Sequence, residues 1–429
     1  MNISMFTNTY LPHVGGVARS VDFFAEDLRN LGHRVFVIAP TFPEAPEGED
    51  PKKVQRVPAI QNFNGSDFSV RIAVPFVLAE RIKAFQPEVI HSHHPYLLGD
   101  TALRTARRHN LPLVFTHHTL YEKYTHYVPM DSQAMKRFVI NLSTEYANLC
   151  TRVVAPSHSI AELLRKRGVT TPIEEIPTGV DLDFFRNGRK ERFLTDNAIE
   201  VEEPVIGHVG RLAPEKNLGY LANAVADYLG RNKGTFLVIG AGPSEKDIRR
   251  PFREQGVEHK LVMAGKQSGQ ALSDAYNAMD LFVFASKTET QGMVLLEAMA
   301  AGRPVIALDA SGSREVVEDG HNGRLLAGDA PEETFCKAIE AFFEHPGTAR
   351  RWKEGALRTA SDCSREVMAK RMLTLYQATL ETQPKPDPAP NDLIPWDRVL
   401  RGLEVEWDLI AEKAAASIQA FTGKDPVSS

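Results

Sequence analysis

The sequence predicts an α/β protein of two doubly wound, parallel-sheet domains followed by a helical tail. Three observations predict it. Short apolar runs alternate with helix-length amphipathic segments from the first residues onward, the pattern of a parallel sheet covered on both faces. The alternation lapses and then restarts after Pro177. At 429 residues the chain also exceeds what one ordinary hydrophobic core supports.

In the first half, Ile3–Thr7, Val35–Ala39, Val89–His91, Leu113–Thr116 and Val153–Ala155 read as strands buried on both faces. They are short and lack the apolar-polar alternation of a half-exposed strand. Val17–Leu31, Leu98–Arg108, Met135–Leu149 and Ile160–Arg167 read as the helices among them. Phe42–Gln61, rich in Pro, Glu and Gly, reads as a surface excursion. Together these make a first, Rossmann-like domain over 1–180, and the polar stretch 181–204 reads as a hinge or linker. The runs PVIGHVGR, TFLVIGAGP, KLVMAGK, LFVFAS and PVIAL, each followed by a turn or helix signal, make a second such domain over 205–363. A helix over 364–383 is expected to cross back to the first domain. A proline-rich linker follows at 384–395. Beyond it Trp396, Leu400, Leu403, Trp407, Ile410, Ala414 and Phe421 form one apolar stripe, which predicts an amphipathic helix over 396–422. Acidic residues on its other face favour docking on protein over docking on an anionic membrane.

Composition narrows the function. The chain is 43% hydrophobic and 24% charged with a net charge of −5, whereas nucleic-acid binders carry a basic excess. No nucleic-acid partner is expected. Three widely spaced cysteines, Cys150, Cys336 and Cys363, suit reduced thiols in the cytosol. No run approaches the ~20 apolar residues of a membrane span, and MNISMFTNTYLP lacks the regions of a signal peptide. The expected location is cytoplasmic, with peripheral contact at the inner membrane face left open.

Ligands in doubly wound sheets bind outside the carboxyl ends of the strands, so the chemistry is sought just after each strand. In two facing domains those ends are expected to border one cleft. Gly15 and Gly16 follow the first strand and precede a helix, where bare backbone and free N–H groups suit a phosphate. A ligand-free tight turn suits them too, and they lack the G-x-G-x-x-G spacing of a dinucleotide site. In HVGRLAPEKNL, Arg211 and Lys216 follow a strand, a guanidinium fork and a point charge suited to a diphosphate. Gly240–Pro243 and Ala264–Lys266 end two further strands; they suit either a nucleobase or tight turns. TETQGMVLLEAMAAGRPV places Glu289 on a loop and Glu297 inside an apolar helix that Gly302 closes. A buried carboxylate needs a partner. Since carboxylates only accept hydrogen bonds, the two suit a hydroxyl-rich ligand.

Taken together, E-x7-E at Glu289–Glu297 followed by AMAAGRPVIA, the Gly15–Gly16 loop, the Arg211 and Lys216 pair, and IPTGVDLDFF at Ile176–Phe185 resemble the retaining family 4 glycosyltransferases of the GT-B fold. The resemblance covers roughly residues 1–382. It implies that Arg211 and Lys216 hold the diphosphate of a nucleotide sugar while Gly16 approaches the distal phosphate. It also implies that Glu289, with Gly292 and Met293 beside it, meets the sugar and that Glu297 binds the ribose. A histidine near the transferred sugar is carried over onto His118 rather than His117, because strand alternation turns one inward and the other away. The chain reads Glu289-Thr290-Gln291-Gly292 where many members read E-G-F-G, a change at the sugar itself.

HTLYEKYTHYVP and TETQGMVLLEAMA further resemble the bacterial diacylglycerol α-glucosyltransferases. That resemblance implies UDP-glucose as donor, diacylglycerol as lipid acceptor, and Glu122, Tyr124 and His126 on the acceptor side. Ile72–Phe85 and the basic clusters Arg104–Arg108 and Arg165–Arg167 are the expected membrane-facing surface of the first domain. No cofactor or metal is expected. Asp181-Leu182-Asp183 looks like a D-x-D metal motif but lies in the hinge. His91, His93, His94, His117 and His118 cluster without the defined partners of a zinc site.

Overall fold

The computed structural model describes residues 1–13, 15–42, 48–60, 70–71, 75–123 and 132–382. The expected proline-rich linker and amphipathic tail helix lie outside the described residues. The chain divides into two compact units: unit 1 comprises Met1–Thr178 and Met368–Ser429, and unit 2 is Gly179–Val367.

Unit 1 opens with β1 (Asn2–Phe6), α1 (Gly16–Asn30), β2 (Arg34–Pro40) and β3 (Val54–Val57). A small antiparallel pair, β4 (Ala59–Ile60) and β5 (Val70–Arg71), precedes α2 (Pro75–Phe85). Then come β6 (Val89–Ser92), α3 (Leu98–His109), β7 (Leu113–Thr116), α4 (Gln133–Asn148), β8 (Arg152–Ala155), α5 (His158–Lys166) and β9 (Ile173–Glu175). The main sheet is seven parallel strands in the order β3-β2-β1-β6-β7-β8-β9. Its inner strands are buried on both faces, as their unbroken apolar runs require. One face packs Phe6, Phe36, Ile38, Ile90 and Phe115 against helices α2 to α5. The other packs Ile3, Met5, Val35, Val37 and Val114 against α1 and against Met368, Met372, Leu375 and Tyr376 from the far end of the chain.

In unit 2, α6 (Leu182–Arg186) and α7 (Lys190–Asp196) come first. The reading of 181–204 as a linker is therefore corrected: Phe185, Phe193, Leu194 and Ile199 are buried in the unit's core, and burying those apolar groups outweighs the polar composition around them. Next come β10 (Val205–Val209), α8 (Leu218–Arg231), β11 (Thr235–Ile239), α9 (Glu245–Glu254), β12 (Leu261–Met263), α10 (Gly269–Ala278) and β13 (Leu281–Phe284). The unit continues with α11 (Met293–Ala300), β14 (Val305–Leu308), β15 (Gly323–Leu326), α12 (Glu332–Glu344) and α13 (Pro346–Asp362). Six parallel strands run β12-β11-β10-β13-β14-β15. Alternate strand residues serve opposite faces: Phe282 and Phe284 face α6, α10 and α11, and Leu281 and Val283 face α8, α9 and α12. The last helix among the described residues, α14 (Arg365–Thr382), carries the chain back into unit 1.

Both sheets reverse winding direction once, at the β1–β6 pair in unit 1 and the β10–β13 pair in unit 2. Ligands of open α/β sheets bind beside such a reversal.

Candidate active site

In unit 2, Arg211 and Lys216 follow β10 and Glu289 follows β13. These strands are hydrogen-bonded neighbours although α8 to α10 separate them in sequence. That adjacency brings Lys216 Nζ onto Glu289 Oε1, with both side chains about four-fifths shielded from solvent. Arg211, half exposed, donates to Glu215 Oε1 one turn along. The two cations assigned to a diphosphate are thus each held by a carboxylate of their own unit. An incoming anion would exchange with those carboxylates as well as with water.

The Glu289 loop is seated on a second loop. Gly312 has φ +87°, and a Cβ there would lie 2.4 Å from Glu289 Cβ. Gly292, also left-handed, caps the start of α11, directly before the half-buried Met293. Glu297 lies one turn further on and is buried. Its Oε2 accepts a hydrogen bond of 2.7 Å from the Tyr276 hydroxyl on α10, which supplies the partner that an acid in that apolar run requires. Tyr276 is fully buried and set edge-on to Phe185 at 5.4 Å.

The two glycine-bearing strand ends are close-packed backbone. Gly240 donates to Gly265 O at 2.8 Å, Gly210 to Ile239 O at 3.0 Å and Leu212 to Ala241 O at 3.1 Å. A Cβ on Gly240, where φ is +138°, would stand 1.9 Å from Gly210 O. These glycines are therefore required by the turns that carry Arg211, whatever else they touch.

His208, which sequence reasoning passed over, lies on β10 below this loop. Its Nδ1–H donates to Val283 O at 3.1 Å, so Nε2 carries a lone pair, and that atom is buried without a hydrogen-bond partner among the described residues. Burial pushes the imidazole down to about 4, keeping it neutral beside Lys216 and Glu289.

In unit 1, Gly15 is the N-cap of α1 in extended backbone, with no side-chain cap, and Gly16 opens the helix exposed. The helix start thus presents uncapped N–H groups beyond β1. Val14 lies outside the described residues. Beyond β6 and β7, which pair in parallel, two histidine-bearing segments lie side by side. His117 turns inward, packed edge-on to Phe115 and Tyr121, with both ring nitrogens lacking hydrogen-bond partners among the described residues. His118 is partly exposed and meets His93: His118 Nε2 and His93 Nδ1 are 2.9 Å apart.

The acceptor-side residues fare differently. Glu122 accepts a 2.7 Å bond from Arg167, with side chains 11% and 3% exposed. The carboxylate is committed to a buried ion pair, and the expectation that Arg167 contributes surface positive charge is corrected on the same ground. Tyr124 and His126 lie outside the described residues. Asp181 caps α6 by accepting from Phe184 N at 3.0 Å and pairs with Arg365 at 3.3 Å, a structural task that accounts for its place in the D-x-D sequence. Among the described residues no group of three or more His, Cys, Asp or Glu is placed to hold a metal, and no helix is long and apolar enough to cross a membrane.

Residues 14–184 match the family model Glycosyltransferase Family 4, and residues 189–359 match Glycosyl transferases group 1. An alpha-monoglucosyldiacylglycerol synthase of Streptococcus pneumoniae is 29% identical over 77% of this chain and 76% of its own. A GDP-mannose-dependent alpha-mannosyltransferase of Mycobacterium tuberculosis is 30% identical over 88% of this chain and 97% of its own. The crystal structure of Anabaena Alr3699/HepE in complex with UDP superposes with a TM-score of 0.72 at 19% identity, covering 88% of this chain and all of that one.

Proposed function

The chain belongs to the family 4, group 1 glycosyltransferases of the GT-B fold, and from that premise we propose that it moves glucose from UDP-glucose to 1,2-diacylglycerol with retention of configuration. That it is a hexosyltransferase follows from the family. The observation that carries the site assignment is the Lys216–Glu289 contact, with Glu297 anchored by Tyr276 one turn away. A cation for phosphoryl oxygens, a carboxylate for sugar hydroxyls and a second carboxylate for a ribose stand there on neighbouring strand ends and helices.

In this reading Arg211 and Lys216, rather than a metal, receive the diphosphate. Lys216 leaves Glu289 for the phosphate, and Glu289 turns to the hexose hydroxyls. The bond from the anomeric carbon to the diphosphate oxygen breaks as the acceptor hydroxyl oxygen bonds to the same face of that carbon. The hydroxyl proton passes to the departing diphosphate. Charge grows on the leaving oxygen during this step, so prepositioned cations there lower the barrier most. The lipid acceptor rests on HTLYEKYTHYVP and on the naming of relatives from Streptococcus pneumoniae and Acholeplasma laidlawii as alpha-monoglucosyldiacylglycerol synthases. Peripheral contact of unit 1 with the cytoplasmic membrane face belongs to the same reading.

The mannosyltransferase relatives favour a second reading, GDP-mannose as donor. Incubating the full chain with radiolabelled UDP- and GDP-sugars, with and without diacylglycerol vesicles, separates the two. Label from UDP-glucose entering the organic phase is the expected result. Label from GDP-mannose alone would replace the donor, and nucleotide cleavage with all label aqueous would remove the lipid.

A further inference from the structure

We propose that His93 is a positioning residue that holds His118 in one tautomer, so that His118 offers an N–H from Nδ1 to an accepting oxygen of the ligand. The inference rests on the transferase reading, in which His118 meets the transferred sugar, and adds to it which atom of His118 carries the proton.

The rings form a column. His91 is held at both nitrogens, Nδ1 by the Tyr376 hydroxyl at 2.6 Å and Nε2 by Thr116 Oγ1 at 2.7 Å. Its ring lies 4.1 Å from that of His93, and the His93 ring lies 5.2 Å from that of His118 at 23°. His93 is fully buried. Wedged between a pinned ring and His118, it has little freedom to flip, so its Nδ1 stays on His118 Nε2 at 2.9 Å.

Burial lowers the proton affinity of both imidazoles, leaving them neutral at physiological pH. Two neutral rings share one proton across the His93 Nδ1–His118 Nε2 contact, and two arrangements exist. With the proton on His118 Nε2, the proton of His93 must sit on its own Nε2, which is buried and lacks a hydrogen-bond partner among the described residues. That arrangement strands a buried N–H. With the proton on His93 Nδ1, the stranded group is only a lone pair, and His118 must carry its proton on Nδ1. Stranded buried donors are the rarer defect in folded proteins, so the second arrangement is adopted. His118 then acts on its ligand as a donor and not as an acceptor.

The test is long-range proton–nitrogen NMR on the full chain labelled with 15N-histidine, with the His118 signals assigned by their loss in His118→Gln. The expected spectrum has His118 protonated at Nδ1 and bare at Nε2. In His93→Leu the proton should move to Nε2 and kcat should fall about tenfold, the loss of one hydrogen bond's worth of orientation, with KM for the sugar nucleotide unchanged. His93→Asn, whose amide N–H replaces Nδ1–H, should restore both tautomer and kcat. A wild-type His118 protonated at Nε2 overturns the proposal, and so does a His93→Leu variant with wild-type tautomer and kcat. If His93→Leu does not fold, the wild-type spectrum decides alone. The spectrum needs no substrate, so a mistaken donor or acceptor does not alter it. Transfer at full rate by His118→Gln would instead overturn the reading of His118 as a sugar contact.

Discussion

At the scale of single residues, the site is a set of charges each already engaged within its own unit. Glu289 holds Lys216, so Glu289→Ala should act on two steps in opposite ways. On the proposed reading, transfer should fall ~100-fold or more with the contact to the reacting sugar, while UDP binding, measured by calorimetric titration, should hold or tighten because Lys216 is released. A variant that loses UDP binding in parallel with transfer would place Glu289 in the phosphate site instead. Tyr276 anchors Glu297, and Tyr276→Phe removes that bond with little change of volume. The carboxylate then sits buried with one donor fewer, so the thermal midpoint should drop by the equivalent of ~1–3 kcal/mol. On the proposal that Glu297 binds the ribose, UDP affinity should weaken with it, and unchanged affinity would overturn that role.

At the scale of elements, loops matter through what they lean on. Gly312 is left-handed and its Cα faces Glu289 Cβ. Gly312→Ala should push the Glu289 loop away from the Gly312 loop and lower kcat strongly while circular dichroism stays unchanged; full activity would show the loop to be free of that contact. The elements also show what can be read without coordinates. The short apolar strands and the ends that carry Arg211, Lys216 and Glu289 are legible because buried parallel strands and their termini have their own patterns. β3 (VQRV) is not, because an edge strand with Arg56 and Gln55 on it lies in a stretch crowded with proline and acid. The buried Phe185, Phe193 and Leu194 were likewise hidden among charges. His208 and Tyr276 were passed over, and His93 was weighed only as a metal ligand, for a different reason. Their importance depends on which elements end up side by side, β6 with β7, β10 with β13 and α10 with α11, and no local pattern records that.

At the scale of the whole molecule, buried neutral imidazoles tie stability to pH. Burial holds His91 and His94 down to about 3 and His117 and His208 to about 4, with His93 and His118 also well below the ordinary 6.5. Unfolding frees each to bind a proton below 6.5. The stabilisation is complete above that pH and drains away as pH falls towards 3–4, by up to ~1.4 kcal/mol per pH unit for each group. Urea midpoints should therefore fall steeply from pH 7.5 to 5.5, and a flat profile would mean that the histidines are solvated. Unit 1 is discontinuous besides: Met368, Met372, Leu375 and Tyr376 of α14 complete one of its two cores. A fragment of residues 1–178 should be aggregated or molten, whereas the full chain should melt cooperatively. Equal melting of the 1–178 fragment would show α14 to be dispensable.

That same returning helix sets an order of events during synthesis. The strands and other helices of unit 1 leave the ribosome first, yet the segment that closes their core is translated only after every residue of unit 2. At ~5–20 residues per second, the nascent sheet waits on the order of ten seconds or more with the apolar side of β1, β2 and β6 covered by α1 alone. The newborn chain is therefore most vulnerable to aggregation in its oldest part, and the synthesis of α14 is what relieves it.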